Sequence, residues 1–306
     1  MDLSRLPEAV RRRALDEGER GRAWLAALPQ VLDRLASQWR LEGVDILDGG
    51  SEAVAMAVTL PDGRPAVLKV APPWADLLGA ERRVLEAAGG VGFAELYAVD
   101  EAAHALLLER LGTRLDLLGW TPGAQMDALC GALTAVWQAP VPRGDLMNGA
   151  EKARRLGRFI AETAQALGGP LSAPVLARAA AYVADRAAAH DPARAVLAHG
   201  DAHAANALQT LDGGGFKFID PDGLFIEPAY DLGVIMREWP DVLLEDEPLG
   251  AGKARCARLG TLTGVDAEAI WRWGYLETVS TGLLCCKLDL FDWREMFQVA
   301  EAWAAD

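Results

Sequence analysis

The segment His199–Asn206 reads HGDAHAAN, and Asp220 follows it at the end of the apolar run Phe216–Ile219. The chain has four histidines and two asparagines, and this segment holds two of the former and one of the latter. Its aspartate and asparagine are five positions apart on a loop that contains glycine. Oxygen donors on such a loop, joined by a carboxylate at a strand end, form a set that Mg²⁺ prefers. We therefore expect this segment to be the chemical centre of the molecule.

The spacing D-x-x-x-x-N from Asp201 to Asn206 is that of a kinase catalytic loop. In such a loop the aspartate accepts the proton of the substrate hydroxyl, and the asparagine binds metal. Asp201 is accordingly the candidate catalytic base, and Asn206 with Asp220 the candidate Mg²⁺ ligands. His199 and His203 are interpreted as residues that brace the loop. A zinc site is the weaker interpretation of this pair, since no third ligand is evident.

A lysine in the strand-like stretch Pro65–Val70 (PAVLKV) is the second candidate for chemistry. Lys69 is one of only five lysines in the chain. In isolation, a lysine on an edge strand is the commoner explanation. A kinase, however, needs a strand lysine that pairs with the α- and β-phosphates and with a helical glutamate. Glu81 is the candidate partner and Glu86 the alternative.

Upstream of this strand, a short glycine-containing stretch offers backbone amides that could cover phosphates. It comprises Gly49, Gly50 and Ser51. The stretch does not match GxGxxG, so this indication is weak by itself.

The order of patterns along the chain predicts an α+β fold. Residues 5–40 have helical spacing of apolar residues, and strand-like runs with glycine turns follow, the last two at Phe93–Val99 and Ala105–Glu109. After Leu111 the pattern is mostly helical, including a final stretch at 266–303 broken near Asp289. We expect an N-terminal domain at 1–110, with the leading helices and a mostly antiparallel sheet, and a helical C-terminal domain at 111–306.

Charge and composition restrict the partners. The 30 Lys and Arg residues stand against 44 Asp and Glu, a formal charge of −14. Such acidity disfavours general binding to nucleic acid or to anionic membranes and favours a cationic small molecule.

The four cysteines form no CxxC pair, and neither a secretory signal nor an apolar span of about 20 residues is found. The expected location is the cytoplasm, with no membrane partner.

The negative charge is concentrated between Asp220 and Glu247. This stretch of 28 residues has nine acidic side chains and one basic side chain, Arg237. A solvated acidic loop is the alternative interpretation for the run Glu245–Glu247. The functional interpretation is a field that attracts a cationic acceptor. Its candidate acceptor-binding residues are Asp222, Glu227, Glu238, Asp241, Glu245 and Asp246.

Together, HGDAHAAN, the stretch KFIDPDGLFIEPAYDL at Lys217–Leu232, VLKV and LLLERL resemble the aminoglycoside phosphotransferase superfamily. Within it the chain is most similar to the aminoglycoside/hydroxyurea resistance kinases of the streptomycin 6-kinase type. The resemblance implies a protein-kinase-like fold of two lobes, with ATP and Mg²⁺ as cofactors. It also implies that Glu109 and Leu111 meet adenine through the backbone of the hinge Leu106–Leu111, and that Asp231 supports the catalytic loop from a helix start.

The expected activity is transfer of the γ-phosphate to a hydroxyl of a cationic small molecule, with streptomycin as first choice. A metabolic kinase of the same fold, acting on an amino sugar, a choline-like alcohol or hydroxyurea, is the alternative enzyme. A nucleotide-binding regulator without catalysis is the alternative outside enzymes. The presence of Lys69, Asp201 and Asn206 together with Asp220 argues against a silent regulator.

Overall fold

The computed structural model describes residues 5–47, 53–75, 77–142, 146–290 and 293–305. The chain divides into two compact units, Met1–Gly112 and Thr113–Asp306. In the first unit the helices and strands are, in chain order, α1 (Glu8–Asp16), α2 (Glu19–Trp39), β1 (Glu42–Ile46), β2 (Val54–Thr59), β3 (Pro65–Val70), α3 (Leu77–Ala88), β4 (Leu96–Asp100) and β5 (Ala105–Glu109).

The strands of the first unit form one antiparallel sheet in the order β1-β2-β3-β5-β4. Helix α2 buries Leu28, Leu32 and Leu35, which lie on one face because their spacing follows the helical repeat. These leucines join the same core cluster as Met56 and Leu68 of the sheet. Since side chains alternate along a strand, Lys69 points to the opposite face of the sheet from Leu68.

The second unit is mostly helical. Its elements are, in chain order, α4 (Pro122–Val136), β6 (Met147–Asn148), α5 (Gly149–Ala166), α6 (Ala173–Ala188), β7 (Val196–Ala198), β8 (Ala207–Gln209), β9 (Phe216–Phe218), β10 (Leu224–Ile226), α7 (Ala229–Met236), α8 (Pro240–Leu244), α9 (Pro248–Thr263), α10 (Ala267–Leu288) and α11 (Trp293–Trp303). Strands β8 and β9 form a hairpin, while β6, β10 and β7 form a small mixed sheet.

The core of the second unit forms around α7 and α10. Every residue of α7 is buried. The two helices approach closely at Gly233 and Gly274, where a Cβ atom would lie 2.6 Å from Cβ of Trp273 and 2.5 Å from Cβ of Met236, respectively. Any larger residue at either position would push the helices apart, because protein interiors are close-packed. This contact fixes where the C-terminal end of α7 meets α10.

The predicted α+β class is confirmed, with an antiparallel sheet in the first unit and a helical second unit. The break near Asp289 is also confirmed, since α10 ends at Leu288 and α11 begins at Trp293. The strand expected at Phe93–Val99 starts instead at Leu96, and Phe93 is fully buried before it. None of the helices in the described ranges has the length and apolarity needed to cross a membrane.

Candidate active site

In the first unit, Lys69 and Glu81 form an ion pair. Lys69 Nζ lies 2.8 Å from Oε1 and 2.7 Å from Oε2 of Glu81, which links β3 to α3. The Lys69 side chain is 14% exposed and that of Glu81 is 5% exposed. Glu86, the alternative partner, accepts a hydrogen bond from Arg82 at 2.7 Å. The structure therefore selects Glu81 as the lysine's partner.

The other nucleotide-site candidates of this unit belong to the end of β5 and to the glycine stretch. Glu109 is the last residue of β5; its backbone N–H donates to the Glu95 carbonyl at 2.8 Å, and its Oε2 accepts from the Glu95 N–H at 3.0 Å. Leu111 is buried. Gly49, Gly50 and Ser51 lie outside the described residues.

In the second unit, the loop after β7 is held by a histidine whose two ring nitrogens are both engaged. The Asp201 N–H donates to His199 Nδ1 at 3.1 Å, so Nε2 carries the proton and donates to the Ile219 carbonyl at 2.8 Å. His199 has no exposed surface. Because one nitrogen bonds to the loop and the other to the residue after β9, the geometry favours a bracing residue over a zinc ligand.

Asp231 in the first turn of α7 joins the loop to the core. Its carboxylate accepts the backbone N–H groups of His199 at 3.0 Å and Gly200 at 2.8 Å, and the indole N–H of Trp137 at 3.0 Å. Burial raises the pKa of Asp231, whereas these donors favour its charged form. The loop backbone is thereby tied to a fully buried helix.

Gly200 allows the chain to turn at this point. Its φ is +92°, a region that favours glycine, and a Cβ atom would lie 2.7 Å from Cβ of Asp222. Both conformation and space therefore require glycine in the HGD segment.

Asn206 and Asp220 are brought together by the β8–β9 hairpin. Ala207 pairs with Phe218, and the Ile219 N–H donates to the Asn206 carbonyl at 3.0 Å, which extends the pairing by one residue. Asp220 is the next residue; it is exposed and has a left-handed φ of +55°. The Asn206 Nδ2 group donates to the Asp201 carbonyl at 3.0 Å, which leaves Oδ1 as the amide atom able to bind a cation.

Asp201 lies between the guanidinium group of Arg237 and the imidazole of His203. Its Oδ1 accepts from Arg237 Nη2 at 2.6 Å, and its Oδ2 lies 3.3 Å from His203 Nε2. Burial alone would raise the pKa of Asp201, but the hydrogen bond from His203 and the charge of Arg237 hold it well below its ordinary value. The side chain is 38% exposed. The result is an ionised, oriented carboxylate that solvent can reach.

His203 begins the helical turn that carries Asn206. Its Nδ1 accepts the Ala205 N–H at 3.3 Å, while Nε2 faces Asp201. Burial lowers the pKa of His203, but the hydrogen bond and charge of Asp201 outweigh this and raise the pKa above 6.5.

Arg237 is the site residue that sequence reasoning missed. It directly follows α7, its side chain is 12% exposed, and besides Asp201 it contacts Glu277 and Thr281 of α10. One signal could have found it: it is the only basic residue in the acidic stretch from Asp220 to Glu247.

The six acceptor candidates fall into three groups. Asp222 and Glu238 lie near Asp201: Asp222 is exposed with its Cβ facing Gly200, and Glu238 is half-buried, 3.9 Å from Arg237 Nε. Loss of hydration raises the pKa of both, although the charge of Lys152 opposes this at Asp222 and that of Arg237 at Glu238. Glu227 accepts from Arg186 at 3.0 Å and from Trp273 Nε1 at 2.9 Å through its Oε1 atom. The remaining candidates, Asp241, Glu245 and Asp246, are exposed in α8 and the turn after it.

Comparison with solved structures shows which known fold the chain has. The choline kinase LicA from Streptococcus pneumoniae matches with a TM-score of 0.63 at 15% identity, over 91% of this chain and 99% of that one. The ternary complex of a thermostable mutant of aminoglycoside phosphotransferase APH(4)-Ia with ADP and hygromycin B matches with a TM-score of 0.59 at 15% identity, over 89% and 97%. The fold is that of the protein-kinase-like small-molecule kinases.

Sequence comparison then gives the family. Residues 38–285 match the family model described as aminoglycoside/hydroxyurea antibiotic resistance kinase. A streptomycin 6-kinase from Streptomyces glaucescens is 28% identical over 260 residues, which cover 84% of this chain and 83% of the relative. The chain belongs to the aminoglycoside/hydroxyurea antibiotic resistance kinases, as its motifs predicted, and is a phosphotransferase with an alcohol group as acceptor.

Proposed function

We propose that the protein transfers the γ-phosphate of ATP, with Mg²⁺, to a hydroxyl group of a cationic aminoglycoside, with streptomycin as the first candidate. The observation that carries this proposal is the carboxylate of Asp201, which is fixed between Arg237 and His203 on the loop that also carries Asn206. The similarity to a streptomycin 6-kinase supports the choice of acceptor.

Asp201 orients the acceptor hydroxyl and receives its proton. The hydroxyl oxygen bonds to the γ-phosphorus, the bond between that phosphorus and the ADP oxygen breaks, and the proton passes from Asp201 to water. Because the pKa of Asp201 is strongly lowered, the carboxylate is a weak base. Its main contribution is therefore to align the hydroxyl, which suits a loose transition state in which proton transfer is late.

Asn206 Oδ1 and the Asp220 carboxylate are the proposed Mg²⁺ ligands. Two protein oxygens fit this ion, which usually keeps several waters and binds substrate phosphates instead of filling an all-protein cage. When bound, Mg²⁺ neutralises the charge that develops on the transferred phosphoryl group.

In the first unit, Lys69 is proposed to contact the nucleotide phosphates while Glu81 fixes its ammonium group. The hinge Leu106–Leu111 is proposed to meet adenine, with Glu109 and Leu111 as its contacts. The ADP complex of the structurally similar phosphotransferase supports a nucleotide as phosphate donor.

The acidic residues around Asp201 are proposed to bind the ammonium or guanidinium groups of the acceptor. Asp222 and Glu238 are best suited, because Asp222 faces Gly200, next to Asp201, and Glu238 lies 3.9 Å from Arg237 Nε. Loss of hydration raises the pKa of both, and a bound cation would favour their charged forms. Asp241, Glu245 and Asp246 are exposed, so their proposed contribution is attraction at longer range.

An acceptor panel tests the proposal. The protein is incubated with ATP and Mg²⁺ and with streptomycin, hygromycin B, choline, hydroxyurea or no acceptor; ADP release and the mass of the acceptor are measured. We expect streptomycin to gain one phosphoryl group and to accelerate ADP release. If choline is the only acceptor phosphorylated, the substrate is a metabolic alcohol and not an aminoglycoside. If no acceptor changes the rate of ADP release, the proposal is contradicted.

Two sets of variants test recognition of the cation. Asp222→Asn and Glu238→Gln should each raise the acceptor KM by about tenfold or more, as loss of a charged hydrogen bond does. The triple variant Asp241→Asn/Glu245→Gln/Asp246→Asn should have a smaller effect that salt removes, because exposed charges are screened over about 8 Å at physiological ionic strength. Unchanged acceptor KM values in both sets would contradict a cationic acceptor site.

A further inference from the structure

We propose that Arg237 is a positioning residue for catalysis, which holds the Asp201 carboxylate in the orientation that accepts the substrate hydroxyl. This inference rests on the proposed function, in which Asp201 is the catalytic carboxylate. Arg237 Nη2 donates to Asp201 Oδ1 at 2.6 Å, and the contact joins residues 36 positions apart in the chain.

Arg237 is itself anchored from the opposite side. Its Nη1 donates to Glu277 Oε2 at 2.5 Å and to Thr281 Oγ1 at 3.0 Å, two residues one helical turn apart on α10. The other oxygen of Glu277 accepts from the hydroxyl of Tyr230 at 2.5 Å. The Glu277 side chain is 5% exposed and Tyr230 is 1% exposed. Asp201 is therefore connected through one guanidinium to the packed α7–α10 interface.

The contact pattern requires the shape of arginine as well as its charge. Its two terminal nitrogens donate to different elements, the catalytic loop and α10. A planar guanidinium presents these donors in a fixed fork, whereas a lysine ammonium is one point charge on a flexible stem. Lysine at this position would retain the charge but could not hold both partners in the same geometry.

The two side-chain contacts of Asp201 also fix the orientation of its carboxylate. Oδ1 is held by Arg237 and Oδ2 faces His203, so rotation of the carboxylate would break both contacts. The acceptor hydroxyl consequently meets a carboxylate with one orientation. Small errors in such alignment reduce turnover strongly.

Three variants distinguish the effect of the charge of Arg237, the effect of its shape, and a general loss of stability. Arg237→Lys keeps the charge, Arg237→Ala removes both charge and shape, and Arg272→Ala is the matched control. Arg272 lies on α10 and, like Arg237, forms ion pairs, with Asp185 at 3.0 Å and with Glu268 at 2.9 Å, but neither partner belongs to the site. Thermal unfolding and ATP binding are measured for each variant.

The activity readouts are kcat, KM and chemical rescue. We expect Arg237→Lys and Arg237→Ala to lower kcat by about 10- to 100-fold with little change in the KM for ATP, as loss of an orienting charged contact does. Millimolar guanidinium chloride should restore part of kcat in Arg237→Ala but none in Asp201→Asn. Arg272→Ala should stay within about twofold of the parent protein.

A second readout does not depend on turnover. The free energy of unfolding is measured by urea denaturation for Arg237→Lys, for Asp201→Asn and for the double variant. We expect the change in the double variant to differ clearly from the sum of the two single changes, because residues in contact are not additive. Absence of transfer to any acceptor, together with this coupling, would overturn the proposed function while supporting the Arg237–Asp201 contact. Additive changes, or normal kcat in both Arg237 variants, would overturn the inference.

Discussion

Lys69 Nζ contacts both carboxylate oxygens of Glu81, at 2.8 and 2.7 Å, so that one ammonium group connects β3 to α3. The pair is largely shielded from solvent, so removal of one partner leaves an uncompensated charge and is costly. If this pair orients Lys69 toward nucleotide phosphates, loss of either partner should impair the same step.

We predict that Lys69→Met and Glu81→Gln each lower kcat/KM for ATP by about tenfold or more, and that the double variant is little worse than either. Residues that act through one contact are not additive. Steady-state kinetics at varied ATP concentration measures the effect. Arg82→Gln, on the same helix but paired with Glu86 and Glu101, is the matched control. Additive losses in the double variant would show that the two residues act separately.

Gly200 should tolerate no side chain. Gly200→Ala introduces a residue at φ +92° and places its Cβ 2.7 Å from Cβ of Asp222. Gly213→Ala is the control, since Gly213 has φ +74° but nothing within 4 Å. We predict a loss of about 1 kcal/mol in the free energy of unfolding for Gly213→Ala, and a larger loss plus reduced turnover for Gly200→Ala. Equal losses by urea denaturation would contradict the steric part of this argument.

Asp220 should determine the Mg²⁺ requirement. We predict that Asp220→Asn raises the Mg²⁺ concentration for half-maximal rate by about tenfold or more, because one of few protein ligands loses its charge. Asp212→Asn in the turn of the same hairpin is the control; Asp212 is exposed and accepts the Gly214 N–H at 2.9 Å. A parent-like Mg²⁺ titration for Asp220→Asn would remove Asp220 from the metal site.

The local part of the candidate site could be predicted from the sequence because its residues are close along the chain. The HGDAHAAN loop and Asp220 fall within 22 residues and are joined by one short hairpin. The contact between Asp201 and Arg237 could not be predicted in this way. It depends on how the loop, α7 and α10 pack together, and contacts between residues 36 and 40 positions apart leave no local spacing in the sequence.

Some local features had no sequence signal. The residues directly after α2 and α10, Arg40 and Asp289, have left-handed conformations with φ of +54° and +50°, where glycine is the usual residue. Strands β6 and β10 have two and three residues, too few to show a period. The antiparallel sheet of the first unit was predictable because its longer strands alternate and are separated by marked turns.

His203 should make stability depend on pH near neutrality. Its pKa is raised above 6.5 in the folded protein, so its contribution to stability is complete below pH 6.5 and is lost as pH rises through the raised value. We predict that the free energy of unfolding is higher for the parent protein than for His203→Gln, and that this difference is largest at pH 6. The difference should become smaller as the pH rises. Urea denaturation at several pH values measures this. A difference that is independent of pH would contradict the assigned ion pair.

Asp201 is the residue on which the whole account depends, and kcat of Asp201→Asn for phosphate transfer to streptomycin tests it most directly. Asparagine has nearly the same shape but cannot accept the proton, and its hydrogen bonding to Arg237 is weaker. With ATP binding and thermal stability measured alongside, we predict a fall in kcat of about 100-fold or more and nearly unchanged ATP affinity. A variant that binds ATP, remains folded and transfers phosphate at close to the parent rate would contradict the central claim.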